Sequence, residues 1–413
     1  MEEEANYCLN CRTKPCSQKG CPLENDIPAF IKAVKEKKYE EAYNIVSETS
    51  VLPGVCGIIC PHQKQCQGSC IRGIKGKPVS IGKIETFIFE KAIANDYKLH
   101  KEKKYNAKVA VIGAGPAGLT CSAFLAMKGI FVTIYEKYDE LGGLLIHGVP
   151  EFRLSRETIK ETINQILDLG IHVNYNQELG RNLSIKDLEE KYDYIFLSLG
   201  ANVSTKMKIK GEKLNGVYGG NELLEYNQHP DYKGKIVSII GGGNVAIDCA
   251  RVIKKRGASK VNVIYRRSSK QMPAELAEVE NAMNEGINFL FQNNIVGIIG
   301  NEKVEKIELV KTQLEKKEGH EREVPVNIEN SNYQLETDFV VMAIGAKPAK
   351  EVESLGLELN QNGKIKVNEN YQTSISKIYA GGDLTQTKGT VAWAARTGRE
   401  VAKNIFIEVE KST

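Results

Sequence analysis

Residues 108–119 read KVAVIGAGPAGL, and residues 131–136 read FVTIYE. The first stretch is a short apolar strand that runs into Gly113-x-Gly115-x-x-Gly118 and then a helix to about Lys128. The second is another apolar strand, and it ends on Glu136. A bare Gly-x-Gly-x-x-Gly is a weak signal. Between two such strands, with an acid eighteen residues past its last glycine, it predicts a parallel strand–helix–strand unit that binds a dinucleotide. Gly113 permits the tight turn, Gly115 lets a pyrophosphate approach the backbone, and Gly118 lets helix and strand pack closely. The helix N-terminus offers free N–H groups and the positive end of its dipole to phosphates, and Glu136 can accept hydrogen bonds from a ribose.

The pattern returns at residues 236–246, IVSIIGGGNVA. Gly241, Gly243 and Asn244 form the second loop, and Ala246 takes the place of the third glycine. A helix over 246–256 and a strand from Val261 to Tyr265 are expected to follow. Arg266 and Arg267 then stand where the first copy has Glu136. A carboxylate there would repel a 2′-phosphate, whereas guanidinium groups pair with it bidentately. The first site is therefore expected to hold FAD or NAD and the second NADPH, with NADH possible. The alternative is that Arg266 and Arg267 are a solvated surface pair.

Further along, VVMAIGA (340–346) reads as a buried strand ending in glycine, with IFLSLGA (195–201) as its earlier counterpart. IYAGGD (378–383) ends a strand in a turn carrying Gly382 and Asp383, and a helix starts after Gly389.

Composition agrees with this two-nucleotide reading. At 413 residues the chain is long enough for two to four domains, and 41% hydrophobic with 26% charged residues marks a soluble globular protein. No apolar run approaches the roughly 20 residues of a membrane-spanning helix. The acidic start, Met-Glu-Glu-Glu, is unlike a secretory signal. Lys and Arg number 56 against 52 Asp and Glu, too small an excess to imply nucleic acid. A cytoplasmic protein with no membrane and no nucleic-acid partner is expected.

Eight of the ten cysteines lie between Cys8 and Cys70. They form two groups, Cys8, Cys11, Cys16 and Cys21, then Cys56, Cys60, Cys66 and Cys70. A disulfide framework needs an oxidising compartment, to which nothing directs the chain. Structural zinc prefers close paired knuckles, and only Cys8-x-x-Cys11 has that form. Iron–sulfur ligation tolerates mixed spacings and is favoured, with zinc as the alternative. Cys121 and Cys249 fall in helices after glycine loops and read as small core residues. Around the cysteines, residues 24–46 and Ile81 to about Tyr97 carry apolar residues at helical spacing. The first hundred residues thus read as a small helical domain, partly folded by its metal centres, and the basic stretch 98–104 as a solvated linker.

Two nested Rossmann units with a YAGGD segment resemble the two-dinucleotide flavoprotein reductases. With the cysteine-rich domain in front, the chain resembles the glutamate synthase small-subunit family. That family includes the N-terminal half of dihydropyrimidine dehydrogenase, its bacterial NAD(P)H-oxidising subunit, the large subunit of ferredoxin:NADP transhydrogenase, and sulfide dehydrogenase. The motifs CPLENDIPAF, GGLLIHGVPEFRL, GGGNVAIDCAR, YRR, MPA and YAGGD occur in order, and the resemblance covers residues 5–410.

The resemblance implies an α-helical iron–sulfur domain (1–104) followed by two nested α/β Rossmann-like domains. The FAD domain would be discontinuous, 105–232 and 345–413, with the NAD(P)H domain at 233–344. Glu136 would bind the FAD ribose and Asp383, after Gly382, the ribityl or pyrophosphate region. The helix beginning near Val391 would point at the flavin, and Gly142, Gly143, Leu144 and Arg153 would line its pocket, Arg153 alternatively anchoring its own loop. By the same resemblance, one [4Fe–4S] cluster would use Cys8, Cys11, Cys16 and Cys70, and a second Cys21, Cys60, Cys66 and Glu85, leaving Cys56 free. The Cys16–Cys21 gap is one residue longer than in the mammalian-type pattern, so the loop there is expected to differ. NADPH would deliver hydride to FAD, and single electrons would pass through both clusters to a larger catalytic subunit, most simply of glutamate synthase type. A pyrimidine-reducing or ferredoxin-linked partner is the alternative among enzymes. A regulatory or assembly protein that only binds the cofactors is the alternative outside them.

Overall fold

The computed structural model describes residues 1–102, 105–319 and 322–412. Lys103 and Lys104, the end of the expected linker, lie outside the described residues. Two compact units emerge, the first from Met1–Ile146, Glu151–Ala201 and Pro348–Thr413, the second from His147–Pro150 and Asn202–Lys347.

The first unit opens with short helices. The stretch 24–46 forms two of them, Ile27–Lys35 and Tyr39–Ser47, because the chain turns at Lys37 with φ of 59°. Asp26 caps the first by accepting from the Ala29 amide at 3.3 Å. Phe30, Val34, Tyr43, Val46, Ile84 and Ile88 build the local core. Helices Pro53–Ile59 and Ile81–Ala94 pack at glycines: a Cβ on Gly57 would lie 2.7 Å from the Gly82 carbonyl oxygen. That close approach brings Cys60, at the end of the first helix, within electrostatic reach of Glu85 on the second.

The rest of this unit is a five-stranded parallel sheet, ordered Ile378–Ala380, Tyr194–Leu197, Lys108–Ile112, Phe131–Tyr135 and His172–Asn174. Val109 to Ile112 and Ile195 to Leu197 are buried, as apolar runs between two helical layers should be. Helix Pro116–Met127 is buried nearly all round, since helix Val391–Ser412 covers its outer side.

The second unit repeats the scheme with strands Val217–Gly219, Phe339–Met342, Ile236–Ile240, Lys260–Tyr265 and Asn288–Phe291, all parallel. It begins at 202 rather than the expected 233 because Val217–Gly219 pairs with Phe339–Met342 and so joins this sheet. A four-stranded antiparallel sheet over 293–336, which the sequence reading does not anticipate, packs on it through Ile295, Ile307 and Leu309.

Candidate functional site

The first glycine loop has the geometry its motif requires. Gly113 sits at φ of 97°, where a side chain is strained, and a Cβ on Gly118 would come 1.9 Å from the Gly113 carbonyl oxygen. A Cβ on Gly115 would meet nothing within 4 Å, so the space at the N-terminus of helix Pro116–Met127 is open for a phosphate. Glu136 is buried; its Oε2 accepts from the Ala114 amide at 2.8 Å and its Oε1 from the Tyr138 amide at 3.1 Å. Burial raises its carboxyl above the usual range, although both amide bonds oppose this. Each oxygen keeps a lone pair for a ribose hydroxyl.

The remaining flavin candidates fall around that loop. The Gly142 amide donates to the Ala114 carbonyl at 3.0 Å, and a Cβ on Gly143 would lie 2.8 Å from the Gly115 Cα. Leu144 follows directly, and Arg153 is half-buried in the turn before helix Arg156–Leu167. A Cβ on Gly382 would lie 3.2 Å from that of Ala117, which puts the Gly382–Asp383 turn at the start of the first helix. Its amide donates to Thr397 Oγ1 at 2.8 Å, and Asp383 accepts from Thr387 Oγ1 at 2.8 Å. Helix Val391–Ser412 meets the helix after the first glycine loop at Gly398, where a Cβ would lie 2.1 Å from the Ala117 carbonyl oxygen.

In the second unit, Gly241 has φ of 144° and a Cβ on Gly243 would meet nothing within 4 Å, matching Gly113 and Gly115. Asn244 starts helix Asn244–Lys255, its Oδ1 accepting from the Glu275 amide at 2.9 Å, and Ala246 is buried against the sheet. Arg266 is exposed and has no ion-pair partner among the described residues. Arg267 is half-buried, its Nε donating to the Glu323 carbonyl at 3.2 Å. Cys249 is buried with its Sγ toward the Gly220 carbonyl at 3.4 Å, and Cys121 is buried too.

Around the clustered cysteines, Cys8, Cys11, Cys16 and Cys70 line one cavity, closed from within by Ile27, Ile31, Val79 and Ile81. Burial raises the Cys8 thiol and pushes Cys16 up to about 11. A second set surrounds Glu85. Burial and then the Glu85 charge push Cys21 up to about 12, and burial followed by Cys21 and Glu85 raises Cys66. Cys60 is raised first by a hydrogen bond with Cys56, then by burial. Glu85 itself is 5% exposed and is pushed up to about 8 by burial. Asn25 Nδ2 donates to it at 3.4 Å, and no salt bridge reaches it among the described residues.

Cys8, Cys11, Cys16 and Cys70 thus share one cavity, while Glu85 acts on Cys21, Cys60 and Cys66; Cys56 bonds with Cys60, and Cys16 acts on Cys66 across the two groups. Among the described residues no three of them are placed to hold a single metal ion. A four-iron cube spaces its ligands over four irons, and a buried acid among thiols with no cation nearby suits such a group. The long Cys16–Cys21 gap is taken up by one π turn, Cys16–Gly20, with the Cys21 amide donating to the Cys16 carbonyl at 2.8 Å.

Spacing alone does not reveal a set of residues that ties the cysteine loops to the helix beside the glycine loop. Arg396 Nη1 donates to the Pro22 carbonyl at 2.8 Å and pairs with Glu24 at 2.8 Å. Arg399 Nη1 reaches the carbonyls of Leu23 at 2.6 Å and Thr49 at 3.1 Å. Gln65, next to Cys66, donates from Nε2 to Thr390 Oγ1 at 3.4 Å. The i,i+3 spacing of Arg396 and Arg399, which puts both on one helix face, is the only sequence hint.

The chain matches the pyridine nucleotide-disulphide oxidoreductase family over residues 107–398 and dihydropyrimidine dehydrogenase domain II, 4Fe–4S cluster, over residues 1–97. It is 35% identical to the glutamate synthase [NADPH] small chain of Halomonas elongata, over 98% of this chain and 89% of that one. Against the Escherichia coli small chain the values are 33%, 98% and 90%. Among solved structures, Mycobacterium tuberculosis FprA in complex with NADPH aligns with a TM-score of 0.64 at 20% identity, covering 75% of this chain and 86% of that one. Thioredoxin reductase of T. acidophilum aligns with a TM-score of 0.55 at 20% identity, covering 74% and 99%. At that identity the likeness is one of fold.

Proposed function

The chain belongs to the glutamate synthase small-chain family, within the pyridine nucleotide-disulphide oxidoreductases, and from that premise we propose that it moves electrons from NADPH through FAD and two [4Fe–4S] clusters to a larger subunit of glutamate synthase type. It is an NAD(P)H-dependent oxidoreductase with flavin- and NADP-binding and 4Fe–4S domains. No helix among the described residues is long and apolar enough to cross a membrane. The proposal assigns the clusters to residues 1–104, FAD to the rest of the first unit, and NADPH to the second unit, whose main stretch is Asn202–Lys347.

The observation that carries the reading is helix Val391–Ser412. Its Thr397 and Gly398 pack on the Gly382 turn and on the helix after the first glycine loop, and its Arg396 and Arg399 hold the chain just past Cys21. One rigid element thereby spans the flavin side and the second cysteine set. FAD and the clusters, when bound, supply the hydride acceptance and one-electron chemistry that amino-acid side chains lack.

The chain's own residues bind and orient. Gly113, Gly115 and Gly118 present backbone amides to a pyrophosphate, and Glu136 takes the adjoining ribose hydroxyls. Gly142, Gly143, Leu144 and Arg153 border the ring pocket, and Gly382 and Asp383 close the other side. The first turn at Val391, whose Trp393 amide is capped by Thr390 Oγ1, would offer its remaining amides and positive dipole end to negative charge on the ring. In the second unit Gly241, Gly243, Asn244 and Ala246 shape the phosphate loop, while Arg266 and Arg267 favour a 2′-phosphate over a 2′-hydroxyl. Cys8, Cys11, Cys16 and Cys70 would hold one cluster, and Cys21, Cys60, Cys66 and Glu85 the other. Hydride transfer depends on placement more than on acid–base groups, so this inventory needs no catalytic histidine. Cys249 is buried and stands alone in Ile247-Asp248-Cys249-Ala250, so a route through a redox disulfide beside the second loop is unsupported.

Anaerobic purification tests the reading. The protein should carry one FAD and about eight iron atoms, as two four-iron clusters require. NADPH should bleach the flavin band and reduce the clusters. Zinc in place of iron, or a flavin band that NADPH leaves unchanged, would overturn it.

A further inference from the structure

The cavity formed by Cys8, Cys11, Cys16 and Cys70 is also lined by Leu9 and Ile71, and these two are 50% and 38% exposed. Ile71 opens the 3₁₀ turn Ile71–Ile74, and Ile74, which closes it, is 77% exposed. Residues three apart eclipse in such a turn, so the two isoleucines share one face. The turn is pinned from below, since Arg72 Nε donates to the Tyr7 carbonyl at 2.8 Å and its guanidinium stacks 4.3 Å over the Tyr7 ring. A single exposed isoleucine is unremarkable, but three large apolar side chains held at the mouth of a cysteine-lined cavity form a patch.

The two segments that form the patch are basic within themselves, while acids stand beside them: Glu4 accepts from the Ser80 amide at 2.7 Å and Asp26 pairs with Lys14. From residue 5 to 23 the chain carries Arg12, Lys14 and Lys19 and no acid; from 61 to 79 it carries Lys64, Arg72, Lys75 and Lys77 and no acid. Arg12, Lys19, Lys75 and Lys77 are exposed and have no ion-pair partner among the described residues. The net excess of the whole chain is only four, so this is a local concentration.

We propose that Leu9, Ile71 and Ile74, with the cations beside them, are the docking surface for an electron-accepting protein whose contact face is acidic around an apolar centre. This rests on the reading above that the four cysteines hold a cluster. A basic rim steers an acidic partner into encounter, and the apolar centre retains it. The step is a transfer of one electron: the donor side is oxidised by one, the partner's oxidised centre is reduced by one, and no bond or proton moves. NADPH supplies the electrons two at a time.

A plant-type [2Fe–2S] ferredoxin, an acidic one-electron protein, serves as the probe, with excess cytochrome c as terminal oxidant to draw the uphill transfer forward, and its NADPH-dependent turnover is followed against salt. Wild-type protein should reduce it at a rate that falls steeply as salt rises. Lys75→Glu with Lys77→Glu should raise the KM for ferredoxin about tenfold or more and flatten the salt dependence. Ile74→Ser should raise KM without changing the salt slope. In each variant, iron content and the rate of flavin bleaching by NADPH should match wild type. Unchanged ferredoxin kinetics in the charge-reversed variant would overturn the proposal, as would a wild-type protein that NADPH reduces fully but that passes nothing to ferredoxin. A concentration-dependent dimer abolished by Ile74→Ser would also overturn it, by making a second copy of the chain the occupant. Loss of the cluster reading shows separately, as an iron count near four or zero.

Discussion

Arg399 Nη1 donates a 2.6 Å hydrogen bond to the carbonyl of Leu23, 376 residues earlier in the chain and two past Cys21. The same nitrogen reaches the Thr49 carbonyl. Arg399→Ala leaves both carbonyls without this donor, at a cost of about 1–3 kcal/mol, and frees the segment that carries Cys21. The EPR signal of the second cluster should shift or broaden while NADPH bleaches the flavin at the wild-type rate, and Arg399→Lys should restore part of the signal. An Arg399→Ala protein with an unaltered EPR spectrum and unaltered protease sensitivity at 21–24 would show that the contact positions nothing.

The two arginines after strand Lys260–Tyr265 differ in engagement. Arg267 is held by the Glu323 carbonyl, whereas the Arg266 guanidinium is unpaired by any carboxylate among the described residues. Arg266→Asp should therefore raise the KM for NADPH more than Arg267→Asp, and neither should raise that for NADH as much. The expected loss is about 1–3 kcal/mol per guanidinium–phosphate contact. Steady-state kinetics with both nucleotides decide it, and a wild-type preference for NADH would show the pair to be surface residues.

Glu85 and Cys56 separate two ligation schemes. If each run of four cysteines held its own cluster, Cys56→Ser would lose one cluster and Glu85→Ala would change little. If ligation is interleaved as proposed, Cys56→Ser should retain both clusters, and Glu85→Ala should alter one only. A carboxylate is a harder, weaker partner for cluster iron than thiolate, so its removal should move the potential before iron is lost. Iron counts and EPR of the two variants give the answer; iron lost in Cys56→Ser beside an unchanged Glu85→Ala spectrum refutes the interleaved scheme.

His229 supplies a pH dependence. Burial, then the charge of Arg256, lowers its imidazole from 6.5 to about 4, and its Nδ1 lies 3.2 Å from the Tyr232 hydroxyl. Between those values the unfolded chain binds the proton and the folded one does not, so this contribution is complete above pH 6.5 and is lost as pH falls toward 4. The ring is half-exposed and water screens its charge, so the loss is about 1–2 kcal/mol. Thermal midpoints should drop across this window in wild type and drop less in His229→Gln. Identical slopes in the two proteins would rule His229 out as the source.

The two parallel sheets were readable because their strands are buried on both faces and so appear as apolar runs, Val109 to Ile112 without a break and Ile236 to Ile240 interrupted only by the small, buried Ser238. The antiparallel sheet was not. Strand Lys306–Glu315 alternates Lys, Glu and Gln with apolar residues, and a register shift between Ile295 and Gly297 interrupts the period of its partner. The break at Lys37 carries neither Gly nor Pro to announce it. At the site, the glycine loops and cysteine spacings are local and legible. The burial of Glu85 depends on the Gly57–Gly82 contact, and the grip of Arg396 and Arg399 on residues 22–24 depends on chain segments that only tertiary folding brings together.

Helix Val391–Ser412 also imposes a timetable. Strand Tyr194–Leu197 stays an open edge until Ile378–Ala380 arrives, and the segment after Cys21 has no latch until Arg399 is made. At the usual elongation rate of about 5–20 residues per second, the 376 residues between Leu23 and Arg399 take roughly 20–75 s to synthesise. The segment beside Cys21, among the first to emerge, is therefore latched last, and for that interval the Cys21 thiol meets whatever oxidant, chaperone or iron donor surrounds the ribosome.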